Sequence, residues 1–314
     1  MKITNKEVIK HELPAEIDGI KVRGNEVLMP LTFKCVISGI NTAQMNAIRR
    51  TALDELDVQA LELVHFESTD PYLVSEMISD RVAEIPIKQQ AKIDKNMPID
   101  RDIYKIGPLK NGDKYKDIST SLFTYTDKNK AEHPVKDLCN RFTILYLSPN
   151  TSLNMHMKVV VKKGYERAQH SYVSRFIIST VENVNQQTEY IKAKEHNVEF
   201  DLKGNVEPEE LIKLCIDNIK NRLSYIITIL PNIITRNDKK GKITFDVPNE
   251  TYTIANILYT EIIKKEYGTT SCSFKVNHDI RNFKLKLTFD DAPNDQEIVK
   301  LVTSAINKIM ADYD

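Results

Sequence analysis

The sequence predicts an α+β fold in which helical and strand-like segments flank a turn-rich zone at residues 88–170. Three observations carry this. Long apolar stripes at helical spacing follow Pro208 and Asn294. Strand-like alternation stands beside them, as in Phe283, Leu285, Leu287 and Phe289. Turn chemistry is dense between them, at Pro98, Gly107-Pro108, Asn111-Gly112-Asp113 and Pro149-Asn150.

The totals bound the function. A chain of 314 residues has room for two domains, with three allowed. Lys+Arg and Asp+Glu are both 44, so the formal net charge is zero. A chain that wraps nucleic acid carries a basic excess, so protein partners fit better. No apolar run has the length of a membrane span, and Met1-Lys-Ile-Thr-Asn-Lys lacks a signal-peptide core. Cys35, Cys139, Cys215 and Cys272 are far apart, so no CxxC ligand pair exists and no metal or cofactor is expected. Such sparse cysteine points to a reducing compartment.

Residues 1–24 read as an extended arm with one short strand. Val27 to Ile37 reads as a strand, with Pro30 at an edge or strand start. Asn41 to Arg50 opens a helix that Asn41 or Thr42 can cap. Met45, Ile48 and Ala52 share its apolar face. Arg50 lies about 200° around the helix from Ile48, flanked by Arg49 and Asn46. Two readings of the arginine pair stand side by side: a solvated surface, or a pair of guanidinium groups held for some other contact.

Val58 to Phe66 reads as a strand, and His65 as a strand-surface or core residue. Tyr72 to Val82 reads as a helix with Leu73, Met77 and Ile78 as its stripe, ending in Arg81-Val-Ala-Glu-Ile85-Pro86-Ile87. Within the turn-rich zone at residues 88–170, strand patterns cover Ser121 to Thr126, Arg141 to Leu147 and Met155 to Val161. Val198 to Gly204 is a strand and turn. Pro208, among Glu207, Glu209 and Glu210, starts a long helix, since proline suits the first turn and acids favour the positive dipole end. Ile212, Ile216, Ile219, Leu223, Ile226, Ile227 and Leu230 form its stripe until Pro231, with Cys215 packed beside it. Asn232 to Lys242 reads as a charged linker. Strands are expected at Lys242 to Val247, Ser273 to Val276 and Phe283 to Phe289, with a helix opening at Glu250. Asn294, with Glu297 three residues on, caps the last helix, whose stripe includes Ile298, Leu301, Val302, Ala305, Ile306, Ile309 and Met310.

These motifs resemble a known family. Asn41 to Arg50, the Arg81 to Ile87 segment, Gly164-Tyr-Glu-Arg-Ala168-Gln-His170, and the strand–proline–glutamate–helix run near Pro208 resemble the assembly platform of multisubunit RNA polymerases. That platform is the bacterial alpha subunit's amino-terminal domain, the archaeal D subunit and the third subunit of eukaryotic RNA polymerase II. Glu250, Thr253, Ala255, Asn256 and Leu258, followed by His278 and a long terminal helix, resemble the archaeal L subunit and the eleventh subunit of RNA polymerase II. Glu84 and Asp80 depart from the first pattern. Tyr252, Asn277 and Asp279 depart from the second.

The resemblance implies a fused D-like and L-like polypeptide, of a kind found in large DNA viruses. It implies a discontinuous D-like dimerisation domain at 1–87 and 171–235, an inserted mostly-β domain at 88–170, a linker at 236–241 and an L-like α+β domain at 242–314. It implies a non-catalytic role in transcription: the platform docks the second-largest and then the largest polymerase subunit, alongside other small subunits, and meets DNA only through the complex. Asn41, Asn46, Arg49, Arg50, Arg81 and Pro86 are the docking candidates. Thr253 and Asn256 would cap and orient their helix, while Leu258 and Ile306 would serve intramolecular pairing. No homo-oligomer and no membrane contact are expected, with localisation to the cytoplasm, a viral factory, a virion or the nucleus. The rival readings are an accessory nucleic-acid binder using Lys162-Lys163 and Lys239-Lys240, and an enzyme. For the enzyme, no Gly-rich phosphate loop, GxSxG or HExxH is present.

Overall fold

A computed structural model describes residues 1–10, 16–17, 20–21, 31–85, 87, 103–126, 132–134, 143–180, 194–203, 206–237, 241–263, 267–277, 279–290 and 293–314. The strands and helices run β1 (Lys2–Lys10), β2 (Glu16–Ile17), β3 (Ile20–Lys21), β4 (Leu31–Ser38), α1 (Thr42–Arg50), β5 (Asp57–Ser68), α2 (Ser75–Ala83), β6 (Ile103–Lys110), β7 (Lys116–Ser119), β8 (Thr124–Thr126), β9 (Glu132–Pro134), β10 (Thr143–Leu147) and β11 (Ser152–Lys163). They continue with β12 (Val173–Thr180), β13 (Glu195–Leu202), α3 (Pro208–Ile229), β14 (Ile234–Asn237), β15 (Lys242–Pro248), α4 (Tyr252–Ile262), β16 (Ser271–Asn277), β17 (Asn282–Thr288) and α5 (Asp295–Asp312). The fold is mixed α+β with antiparallel sheets.

The first sheet has the order β1-β4-β13-β12. An aromatic ladder pins its register: Phe33 lies opposite Phe200, and Phe200 opposite Phe176, with ring centroids 5.3 and 4.9 Å apart. Residues 2–10 of the expected amino-terminal arm form the edge strand β1, and Glu16–Ile17 pairs with Ile20–Lys21. β12 falls in a stretch of mixed polar and apolar residues for which no element is expected from the sequence. Residues 27–30 of the strand expected at Val27 to Ile37 lie outside the described residues.

The last sheet has the order β14-β15-β17-β16, with α4 packed against β16 and β17 and α5 packed against α4. Its inward residues Ile243, Phe245, Val247, Phe283, Leu285 and Leu287 are buried, as alternation predicts. The expected linker is shorter than its composition suggests. Ile234 to Asn237 pair with Phe245 to Lys242 as β14, so Arg236 and Asn237 belong to the sheet.

One continuous apolar core joins these two sheets. It runs from Phe33, Ile37, Met45 and Ile48 through Leu211, Ile219 and Leu223 to Ile257, Leu258, Val302, Ile306 and Tyr313. Each buried Ile or Leu contributes roughly 1.5–3 kcal/mol relative to exposure. A second core lies under the sheet β5-β11-β6-β8-β9, and Leu61, Ile78, Val82, Ile85 and Ile87 belong to it. The expected boundary at residue 88 thus falls inside that core. The helix expected from Tyr72 starts at Ser75, and Met77 is exposed rather than part of its stripe; Ile78 and Val82 supply the buried face. Gly107-Pro108, expected as a turn, lies inside β6. Gly107 has φ +95°, and a Cβ there would lie 2.4 Å from the Leu153 carbonyl oxygen, so only glycine fits at this irregular point of the β6–β11 pairing.

Candidate functional site

Helix α1 is closed at its start by a capping box. Asn41 Oδ1 accepts from the Gln44 backbone N–H, and Gln44 Oε1 accepts from the Asn41 N–H, each at 2.9 Å. Gln44 is itself buried and does a second task. Its Nε2 donates to Asp312 Oδ2 at 2.9 Å, and the Tyr313 hydroxyl donates to the Gln44 carbonyl at 3.1 Å. The cap of α1 is thereby tied to the end of α5.

The opposite face of α1 carries the arginine pair. Arg49 and Arg50 are half-buried, and Arg49 Nε donates to Asn46 Oδ1 at 2.9 Å. Neither arginine forms an ion pair with a carboxylate among the described residues. Asp54, in the π-type turn Thr51–Glu55 that extends the helix, feels both charges. Burial raises its carboxyl pKa, and Arg50, then Arg49, pull the other way without cancelling the rise. Arg81 sits elsewhere: one guanidinium nitrogen donates to the Ile144 carbonyl at 2.8 Å, tying α2 to β10. Pro86 lies outside the described residues.

A buried ionic cluster crosses the seam between the two halves. Arg222 of α3 donates through Nε to Glu250 Oε1 at 2.9 Å and Oε2 at 3.2 Å, and through Nη2 to Oε2. Glu55 Oε2 stands 4.0 Å from Arg222 Nη1 and accepts from Arg281 Nη2 at 2.9 Å. Burial works against the Arg222 charge, but the hydrogen bonds and charge of Glu250, with Glu55, outweigh it and raise its pKa. Arg281 also lies over the Tyr165 ring, 3.9 Å from its centroid. Gly164 brings that ring in, because a Cβ there would stand 2.0 Å from the Leu53 carbonyl oxygen. Arg222 Nη1 is buried without a hydrogen-bond partner among the described residues, while Nε and Nη2 are bonded; paired arginines and carboxylates of this kind fix orientation and supply no nucleophile.

The expected roles of α4 divide. Leu258 and Ile306 are buried in the shared core. Thr253 and Asn256 do not cap the helix: its N-cap is Thr251, which makes no side-chain cap bond. Thr253 lies two residues inside, too far along to reach the first N–H groups. Its hydroxyl, with those of Thr51 and Thr251, is buried without a hydrogen-bond partner among the described residues. Asn256 is half-buried in mid-helix.

The remaining candidates are spent locally. Lys162 pairs with Glu62 and Glu166, and Lys163 with Asp57; Lys239-Lys240 and His278 lie outside the described residues. Burial pushes the Cys35 thiol up to about 12 and the Cys215 thiol higher still, as expected of packing residues. His65 lies on the strand surface, its ring 5.1 Å from His156. Among the described residues no group of three or more His, Cys, Asp or Glu is placed to hold a metal, and no helix is long and apolar enough to cross a membrane.

Sequence reasoning named Glu250 only as a motif residue and missed Gln44, Glu55, Arg222 and Arg281. Arg222 carried a signal: a lone arginine beside the apolar stripe of a long helix. Glu55 and Arg281 carried none, because their partners are distant in sequence. No protein-family model matches the chain, and no curated protein matches it.

Proposed function

We propose that the chain is a non-catalytic assembly platform of a DNA-directed RNA polymerase, with a D-like half and an L-like half paired within one polypeptide. The observation that carries this reading is the single core shared by elements before and after residue 236, with the Arg222–Glu250 pair buried across it. A heterodimer core of two separate chains would need the same features. Fusion replaces the association step with an effective concentration on the order of mM. Helix α1 then offers Asn46, Arg49 and Arg50, with the arginines free of carboxylate partners among the described residues, to the second-largest subunit. Arginine suits this task because its planar fork pairs bidentately with carboxylates.

The test is tagged purification from the native source at moderate salt, with partners identified by mass spectrometry. Two chains above about 100 kDa, co-purifying with RNA-synthesising activity, are the expected result for proteins of this role. The variant Arg49→Ala/Arg50→Ala is expected to fold normally and lose both. A folded variant that still recruits them ends the docking assignment. A chain recovered alone or as a homodimer ends the platform reading.

A further inference from the structure

We infer that β16 is a docking edge for an extended protein segment that alternates apolar and acidic residues. β16 is a terminal strand of its sheet, and no described strand pairs with its outer edge. Such an edge presents unpaired N–H and C=O groups to an added strand. Two further observations single it out.

The first is incomplete burial on the core side. The inward residues Cys272, Phe274 and Val276 are all only half-buried, whereas their neighbours on β17, Leu287, Leu285 and Phe283, are at most 1% exposed. Terminal strands differ in this respect: β12 buries Val173 and Phe176, whereas β1 and β14 leave Ile3 and Ile234 half-buried, so half-burial marks β16 only together with the aromatic side chains around it. Phe274 is flanked by Tyr252 and Tyr259 at ring-centroid distances of 5.6 and 5.5 Å, giving an aromatic rim along the open edge. Apolar side chains of an added strand would complete this layer.

The second is charge on the solvent side. Lys275 lies directly opposite Lys284, and Lys286 opposite Ser273 and Thr244. Lys284 has Asp246 at 3.1 Å. Lys275 and Lys286 have no ion-pair partner among the described residues. Like charges facing each other across strands oppose pairing, and acidic residues on an adjacent strand relieve this. The same lysines disfavour a second copy of this edge, which would add positive charge to positive charge. A nucleic-acid strand fits less well: the rings of Phe274, Tyr252 and Tyr259 lie on the core side of the strand, whereas the lysine side is completed by Ser273, Thr244 and Asn277, which offer no aromatic face for base stacking.

The probe is a fluorescent peptide of alternating valine and glutamate, matched in length to β16, titrated into the full chain at low salt. Three results are expected together. Affinity falls with added salt. It weakens about tenfold in the Lys275→Glu/Lys286→Glu variant, which alters only exposed side chains. Saturating peptide slows alkylation of Cys272, located by peptide mass spectrometry. Absence of binding overturns the proposal, as does binding that ignores the lysines or leaves Cys272 unprotected. Preference for an oligonucleotide of equal charge, or dimerisation of the chain through β16, also overturns it.

Discussion

Arg222 and Glu250 form a buried, doubly hydrogen-bonded ion pair, with Nε 2.9 Å from Oε1, that bolts the longest helix of the first half to the strand–helix junction of the second. Its value lies in what happens when it is broken. Removing Arg222 strands the Glu250 carboxylate in a site where its side chain is only 5% exposed. Arg222→Met is therefore expected to destabilise the chain by about 3–5 kcal/mol in urea unfolding. Adding Glu250→Leu removes the stranded charge and should restore much of that. If the double variant is no more stable than the single one, the pair is not the coupled unit described above.

Gly164 gives an independent handle on the same seam. Alanine would put a Cβ 2.0 Å from the Leu53 carbonyl oxygen and 3.0 Å from Asp54 Cα, both backbone atoms. Gly164→Ala should cost about 1–3 kcal/mol and displace Tyr165 from Arg281. Gly112→Ala, which meets nothing within 4 Å, should stay within about 0.5 kcal/mol of wild type. Equal melting temperatures for the two variants would refute the close approach.

Thiol chemistry should separate core from edge. Burial raises all three described thiols, but Cys272 reaches only about 11 and is half-buried, while Cys35 and Cys215 are buried in the shared core. In mildly alkaline buffer Cys272 should alkylate first, and Cys35 and Cys215 only as the chain unfolds. Rapid labelling of Cys215 in the folded chain would contradict its placement.

Histidine protonation should weaken the fold on the acid side of neutrality. Burial first, then the charges of His65 and Lys105, lowers the His156 pKa below 6.5. Burial first, then Arg167 and Lys162, lowers that of His170. A histidine with a lowered folded pKa takes up its proton more readily when unfolded. Its stabilising effect is thus complete above about 6.5 and is lost as the pH falls through the folded value. Urea midpoints should drop between about pH 7.5 and pH 6, and less so in His156→Gln/His170→Leu. An unchanged slope in that variant would assign the pH dependence to other groups.

Much of the fold was legible because it rests on local periodicity. The Asn41 and Asn294 capping boxes, the stripe of α3 and the alternation of β17 each follow from residues within a few positions of one another. What failed was also local in form. Met77 fits a helical stripe but faces solvent, because α2 turns Ile78 and Val82 to β5 and β10 instead. β14 was hidden in a charged segment, since Arg236 is there to bond Asp295 and the Pro293 carbonyl at 2.6 and 2.7 Å.

By itself the sequence determined the long helices, the alternation of β17 and the arginine pair of α1, because these depend on spacing along the chain. Only the tertiary structure decided that the halves share one core, that Gln44 ties α1 to α5, and that Glu55, Arg222, Glu250 and Arg281 meet at a seam. The four seam residues are up to 226 positions apart, and Gln44 and Asp312 are 268 apart. No periodicity links such distant positions, and their charges acquire partners only when burial removes the water that would otherwise solvate them.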